Sequence, residues 1–253
     1  MLAKRIIPTL LVRGRTLVKG KQFAGDRSIG HAQQAARVHA MRGVDELLIL
    51  DIGATAEGRG PDLGLVKELS DGCFVPITVG GGVRSLRDID ALLRAGADKV
   101  CIGTAAVEEK GLVCSAAERF GRQAIVVSMD IRKGNVWTRA GNAVAGWLVD
   151  NVTQGPAQWA RRYADWGAGE IVLQSIERDG MLDGYDLDLI RAVSSAVDIP
   201  VIASGGCGSP EHMHEALNAG ADGVASGAMF AFTDETPRSA ARYLKSKGWE
   251  VRL

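Results

Sequence analysis

Two glycine-rich stretches and three acids hold much of the chemistry this chain offers. "VGGGVRS" (79–85) and "SGGCGSPE" (204–211) each end an apolar run and open a helix-like segment. Bare glycine backbone leading into a helix start presents unpaired N–H groups and positive potential, a geometry that suits phosphate. Each stretch pairs with the next turn, "GTAAV" (103–107) and "SGAMF" (226–230), and Ser85 and Ser209 are the expected N-caps. Each stretch with its turn, the second starting at Ser204, is then a candidate anion seat, and two such seats fit a ligand with a phosphate at each end. The plainer alternative is that these glycines only make tight turns. Asp51, Asp130 and Asp179 end apolar runs or sit just past them, with Gly180 beside the last. A carboxylate there can move protons or bind ribose hydroxyls, and it can equally cap a helix or pair with a loop cation. Asp130, at the end of "SMD", is the acid placed best for catalysis.

A second group sits at the opposite ends of the runs. Glu46, Lys99 and Glu170 each open one, and Arg5 opens the first. Gly223 occupies the fourth corresponding place, which predicts a gap. In a closed barrel these positions form the lowest interior layer, normally filled by bulky apolar side chains. Two glutamates with two cations avoid an unpaired buried ion. A charged, partly hollow floor is a poor stabilising core and a reasonable passage for a small polar molecule. Outward-facing ion pairs are the alternative.

The elements that must position these groups are legible as eight short apolar runs: 5–12, 46–52, 75–81, 99–103, 124–130, 170–176, 200–204 and 223–227. Segments with helical spacing, such as "SLRDIDALLRAGA" (85–97), separate them. Continuous apolar runs alternating with amphipathic helices predict a parallel sheet covered on both faces. "RAGADKV" (94–100) matches "NAGADGV" (218–224), and the same offset of 124 superposes Glu46 on Glu170, Pro76 on Pro200 and Gly103 on Gly227. The expected fold is one (β/α)8 TIM barrel over residues 1–253, built from two similar half-barrels. Two long segments, 13–29 and 133–150, follow strands and rise over the mouth; the first reads as a basic, glycine-rich loop carrying Lys19, the second as a hairpin. Lys19 is either a phosphate lid or a solvated loop lysine.

The bulk numbers exclude several classes. With 253 residues, 46% hydrophobic and 24% charged, the composition is that of an ordinary globular protein. The 30 basic and 30 acidic residues balance, so neither nucleic acid nor an anionic membrane surface is expected. Cys73, Cys101, Cys114 and Cys207 form no C-x-x-C pair, which fits a reducing cytoplasm and argues against structural zinc or disulfides. No targeting or membrane-spanning segment is read, and no metal or cofactor is expected. His31, His39, His212 and His214 show no ligand spacing and read as surface residues. Trp159 and Trp166 read as helix packing positions.

Taken together, "DELLILDI", "TVGGGVRS", "GADKVCIGTAAV", "AIVVSMD", "GEIVLQSIERDG" and "VIASGGCGSPEH" resemble the cyclase subunit of imidazole glycerol phosphate synthase, along essentially the whole chain. The resemblance implies a barrel that docks a glutaminase subunit on its floor. It further implies ammonia admitted by a gate of Arg5, Glu46, Lys99 and Glu170, and a docking contact at Asp98. At the mouth it implies a bis-phosphorylated ribonucleotide, with phosphate contacts at Gly82, Thr104, Gly206 and Gly227 and a role for Lys19 in a mobile first loop. The family pairs two catalytic aspartates. Asp130 matches one; Leu11 stands at the other, and Gly103 stands where asparagine is usual. That combination resembles a divergent branch associated with surface-polysaccharide genes, in which ammonia amidates a sugar. A true cyclase using Asp130 with Asp51 or Asp179 is the other reading.

Overall fold

The computed structural model describes residues 3–109, 111–140 and 155–252, and the backbone of 147–148. Its twelve strands are β1 (Arg5–Arg13), β2 (Thr16–Lys21), β3 (Ala24–His31), β4 (Leu47–Asp51), β5 (Ile77–Gly80), β6 (Lys99–Ile102), β7 (Ile125–Arg132), β8 (Asn135–Thr138), β9 (Trp147–Leu148), β10 (Glu170–Ser175), β11 (Val201–Ser204) and β12 (Gly223–Ser226). Eight of them, β1, β4, β5, β6, β7, β10, β11 and β12, pair in that order, each parallel to the next, and β12 returns to β1. The result is a closed (β/α)8 barrel with helices between the strands.

Two apolar clusters lie on the two sides of the barrel wall. The larger fills the shell between strands and helices, with Ile6, Leu10, Val12, Leu47 and Ile49 facing it. The smaller is the barrel interior: Ile7, Leu48, Cys101, Val126, Val172, Ile202 and Ala225, with Leu50 against it. Because side chains alternate along a strand, β1 sends Leu10 outward to the helices and Leu11 inward to the mouth. The leucine pair is therefore two residues with unrelated duties.

Alternate strands stack the interior into layers. Glu46, Lys99, Glu170 and Gly223 form the lowest. Above it come Ile7, Thr78, Val126 and Ile202, then Leu48, Cys101, Val172 and Ala225. Thr9, Gly80, Ser128 and Ser204 follow, one pleat further along the same strands as Ile7, Thr78, Val126 and Ile202. The gap expected at Gly223 is filled: a Cβ there would meet Ile202 Cδ1 at 2.6 Å.

The duplication is visible in local geometry. Asp62 and Asp186 cap helices with φ of −83° and −79°, and Ser85 and Ser209 do so with −150° and −153°. Asp98 Oδ2 accepts from Ile77 N at 2.8 Å and Asp222 Oδ2 accepts from Val201 N at 3.2 Å, each fastening the start of a strand. All these pairs keep the offset of 124; β1 and β7 do not, because the segments following them differ in length.

Two expectations change. Residues 13–29 are not a loop: β2 and β3 form an antiparallel hairpin that continues β1. The pattern "TLVKGK" carries that strand, and its basic, glycine-rich look hid it. His39 is not a surface residue; it is buried, its ring 5.9 Å from Phe230, and burial brings its pKa down to about 4. In the second long segment β8 pairs antiparallel with β7 and with β9, as a hairpin requires; the rest of it falls outside the described residues. Among the described residues, no helix is long and apolar enough to cross a membrane.

Candidate functional site

The strands' C-terminal ends open into a cavity of about 410 Å³. Leu11, Lys19, Asp51, Gly82, Gly103, Thr104, Asp130, Asp179, Gly180, Ser204, Gly206 and Gly227 all line it. Sequence-separated residues are thus gathered at one mouth, on the face where barrels keep their sites.

The two glycine turns flank this mouth. Gly82 (φ 71°) and Gly206 (φ 105°) are left-handed, and each turn is also too crowded for a side chain. A Cβ on Gly82 would meet Arg59 O at 2.7 Å, and one on Gly206 would strike Gly184 O. Tight packing alone therefore demands these glycines, and the exposed backbone is a consequence available to an anion. Thr104 Oγ1 accepts from Arg139 N at 3.1 Å and keeps its own hydrogen to donate.

The second seat has a charge built in. Lys19, on β2, is 6% exposed; its Nζ donates to Thr9 O at 3.0 Å. That ammonium sits where a Cβ on Gly227 would be. Burial brings the Lys19 pKa down to about 8, with the Asp179 carboxylate opposing. Lys19 is thus neither a solvated lysine nor part of a free loop. The hairpin tip, Gln22 and Phe23 (φ 53° and 62°), is strained for side-chain-bearing residues. It is held across the mouth by Gln22 N donating to Asp179 O (2.9 Å) and Gln22 Nε2 to Glu177 O (2.9 Å). Gly180 lets the hairpin this close, since a Cβ there would strike Gly20 O.

Gly227→Ala tests the seat directly. The backbone there is right-handed (φ −113°), so alanine suits the chain's conformation; its Cβ displaces the Lys19 ammonium and also presses on Thr9 O, 2.7 Å away. Loss of one charge-assisted hydrogen bond costs about 1.5–3 kcal/mol, so affinity for a pentose bisphosphate should fall roughly ten- to a hundredfold by calorimetry. Unchanged affinity would place the phosphate elsewhere.

The three acids separate in role. Asp51 is spent structurally: Arg59 donates to it twice (2.7 and 2.9 Å), and Gly53 N and Ala54 N donate to Oδ1. Among the described residues Asp130 accepts from Ser128 Oγ alone, at 3.3 Å. Burial pushes its pKa from 3.8 to about 7; the Ser128 bond works against that shift, and the Asp179 charge adds to it. Asp179 is raised too, by burial, with Lys19, Phe23 N and Gln174 opposing.

At the other end the four predicted charges face one another. Arg5 NH1 donates to Glu46 (2.8 Å), and its second nitrogen pairs with Glu170. Lys99 Nζ donates to Glu46 and Glu170, at 2.9 Å each. Thr78 Oγ1 adds a bond to Glu46. Burial alone would raise the Glu46 pKa; Lys99, Thr78 and Arg5 outweigh it and hold it below the usual range. The ring closes the barrel floor beneath the layers of Ile7 and Leu48.

A family profile described as "Histidine biosynthesis protein" matches residues 5–236. The chain is 43% identical to imidazole glycerol phosphate synthase subunit HisF of Salinispora arenicola (strain CNS-205), over 99% of each chain. The chain belongs to the HisF family.

Within this HisF-family barrel, the sequence placed Lys19, Asp130, Asp179 and both glycine turns at one mouth and the four floor charges together. It did not find Arg59, which neutralises Asp51, or Thr78, which bonds Glu46. Nor did it find Gln174 and Ser128 beside the two acids. Residue type gave no signal for these; the inward parity of the strands could have exposed Thr78, Ser128 and Gln174, but Arg59 lies in the connection after β4. Among the described residues, no group of three or more His, Cys, Asp or Glu is arranged to hold a metal.

Asp130 makes a pH prediction. Its folded pKa lies above the unfolded 3.8, so between 3.8 and about 7 the folded state binds the extra proton. Stability therefore falls as pH rises through that window and is lowest above it. Asp130→Asn carries no charge in either state. It should gain on the order of 2–4 kcal/mol over the parent at about pH 8 and nothing at about pH 4, read from melting curves. An equal change at both pH values would sink this.

Proposed function

We propose that this chain is the synthase-type subunit of an ammonia-using pair. A glutaminase partner docks on the floor at Asp98, the ring of Arg5, Glu46, Lys99 and Glu170 admits ammonia, and the barrel interior carries it to a phosphorylated ligand at the mouth. The single observation that carries the reading is the closed ring of alternating charges beneath a largely apolar interior. Such a ring is a weak source of stability, so its position across the barrel axis is better explained by passage.

Leu11 shapes the second half of the proposal. Its apolar side chain lines the mouth where the family's first catalytic aspartate belongs, and the neighbouring space over Gly103 is open, with nothing within 4 Å of a Cβ. An inert wall and extra room favour ammonia delivery to another acceptor, a sugar of surface-polysaccharide biosynthesis, over ring closure. A true cyclase of histidine biosynthesis is the second reading. What favours it is that the Asp179 charge helps raise the pKa of Asp130, with both half-buried acids on one cavity; a pair of neighbouring carboxyls can divide the roles of acid and base.

The test pairs two assays. With a HisH-type glutaminase, the chain should stimulate glutamine hydrolysis. With ammonium chloride and the bis-phosphorylated aminoimidazole carboxamide ribonucleotide, it should not form the imidazole. No stimulation of the glutaminase would defeat the ammonia reading; vigorous cyclisation would defeat the sugar reading alone.

A further inference from the structure

Each half of the barrel opens with a strand that runs on into a hairpin. β2 folds back antiparallel on β1, with Val12 opposite Leu17, and β8 folds back on β7, with Asp130 opposite Trp137. Beside each of these first strands lies the last strand of the other half: β12 pairs with β1, and β6 with β7. A hairpin carried by one half therefore reaches the anion seat of the other. The hairpin on β1 delivers Lys19, whose ammonium lies against Gly227, just past β12. The hairpin on β7 delivers Arg139, directly after β8, whose backbone N–H donates to Thr104 Oγ1, just past β6.

The placement of Arg139 suits a ligand cation. It lines the cavity together with Gly82, Gly103 and Thr104. Its backbone is left-handed (φ 52°), a conformation glycine adopts more easily, so a side chain is kept there at a conformational cost. Glu108 takes one flank of the guanidinium: Nε donates to Oε1 and NH2 to Oε2, at 2.8 Å each. An ion pair as open as this one, with side chains 47% and 32% exposed, contributes little to stability, so stability does not account for it. A guanidinium has five N–H donors in a planar fork, and Glu108 uses two. NH1 makes no hydrogen bond among the described residues, so the edge shared by NH1 and NH2 keeps a second pair of donors. Arginine binds phosphate oxygens in pairs with such an edge. Glu108 and Glu109 both line the same cavity, so an anion there needs a cation to offset them. Of the nearby arginines, Arg59 is spent on Asp51 and Glu57, and Arg84 donates from NH1 to Gly58 O at 3.2 Å.

We infer that Arg139 is the phosphate-binding cation of the first seat, with Glu108 orienting its guanidinium, so that each half-barrel lends a cation to the seat of the other. This rests on the phosphorylated-ligand reading above and names the residue that charges one of its two seats. The seats then differ in kind. Lys19 offers a buried point charge, and Arg139 an open planar fork that fixes the orientation of the oxygens it holds.

Inorganic phosphate is the probe, and NMR of the full chain the readout, with sodium chloride at matched ionic strength as the control. Phosphate should shift the amide signals of Gly82 and Thr104 saturably, and independently those of Gly206 and Gly227. Arg139→Gln keeps the backbone N–H that bonds Thr104 and removes the charge. It should weaken binding at Gly82 and Thr104 roughly ten- to a hundredfold and leave Gly206 and Gly227 unchanged. The double variant Arg139→Gln/Glu108→Gln separates a ligand cation from a structural one. It strands no carboxylate, and binding at Gly82 and Thr104 should stay weak. Arg84→Gln should cost less than Arg139→Gln. Parent affinity in Arg139→Gln, recovery in the double variant, or a larger loss in Arg84→Gln would each overturn the assignment. A parent chain whose Gly82 and Thr104 signals ignore phosphate would remove the first seat itself, and the reading of a ligand phosphorylated at both ends with it.

Discussion

Leu11→Asp is expected to raise cyclisation of the bis-phosphorylated ribonucleotide by roughly a hundred- to ten-thousandfold, measured with ammonium chloride as nitrogen source. That range is what a positioned acid or base supplies. The structure favours a clean result. Leu11 is only half-buried and faces the cavity rather than the helix shell, so the introduced carboxylate meets solvent and demands little repacking. Asp130 already stands in the cavity with a pKa near 7, where a group exchanges protons readily at neutral pH. The substitution therefore adds one acid to a mouth that has the other. Growth of a strain lacking the cyclase should be restored by the variant and not by the parent. Rescue by the parent would mean that Asp130 works with Asp179 and that Leu11 is no obstacle. Failure of the variant, with phosphate binding intact, would move the deficit to the open space over Gly103.

Much of this was readable from the chain because it depends on backbone periodicity. Eight apolar runs separated by amphipathic segments fix a parallel barrel, and a barrel puts every strand's C-terminal end at one mouth. Asp130 and the glycine turns then need no side-chain knowledge to be placed together. The repeat did the same for the floor: matching Glu46 to Glu170 and Lys99 to Gly223 put the charges in one layer before any contact was known. The Gly223 gap was misjudged because a glycine leaves space only if no neighbour leans in, and Ile202 does.

What was not readable depends on partners. Asp51 and Asp130 look alike in sequence, each ending a strand. They diverge because Arg59, eight residues after Asp51, folds back onto it, while among the described residues Asp130 has only Ser128. Lys19 looked like a loop lysine because β2 is short and carries glycine. Once β2 pairs with β1, the strand's alternation turns Lys19 into the barrel mouth, where burial lowers its pKa. His39 was misassigned for the same reason, since its burial comes from Phe230 on a distant segment. In each case the deciding contact is between residues far apart or on opposite sides of a turn, and composition carries no trace of it.

Lys99→Met should separate two activities that share one active site. In the Leu11→Asp background, glutamine-driven turnover with the glutaminase is expected to fall at least tenfold, while turnover driven by external ammonium is unchanged. The reasoning is electrostatic. Lys99 Nζ bridges Glu46 and Glu170, so its loss leaves Arg5, among the described residues, as the one cation paired with the two buried carboxylates. The two glutamates then repel, and the ring no longer has a single closed arrangement to open and shut. Removing one partner from a buried ion pair costs about 3–5 kcal/mol. Lys99 keeps some contact with solvent, its side chain 22% exposed, so about 2–3 kcal/mol is the better figure. The melting temperature should fall by roughly 5–10 °C. The layers of Ile7 and Val126, of Leu48 and Val172, and of Thr9 and Ser128 separate the ring from Asp130, and for that reason the ammonium-driven rate reports an intact mouth. A parallel fall in both rates would mean that the ring holds up the barrel and does nothing else; unchanged coupling would mean that ammonia enters by another route.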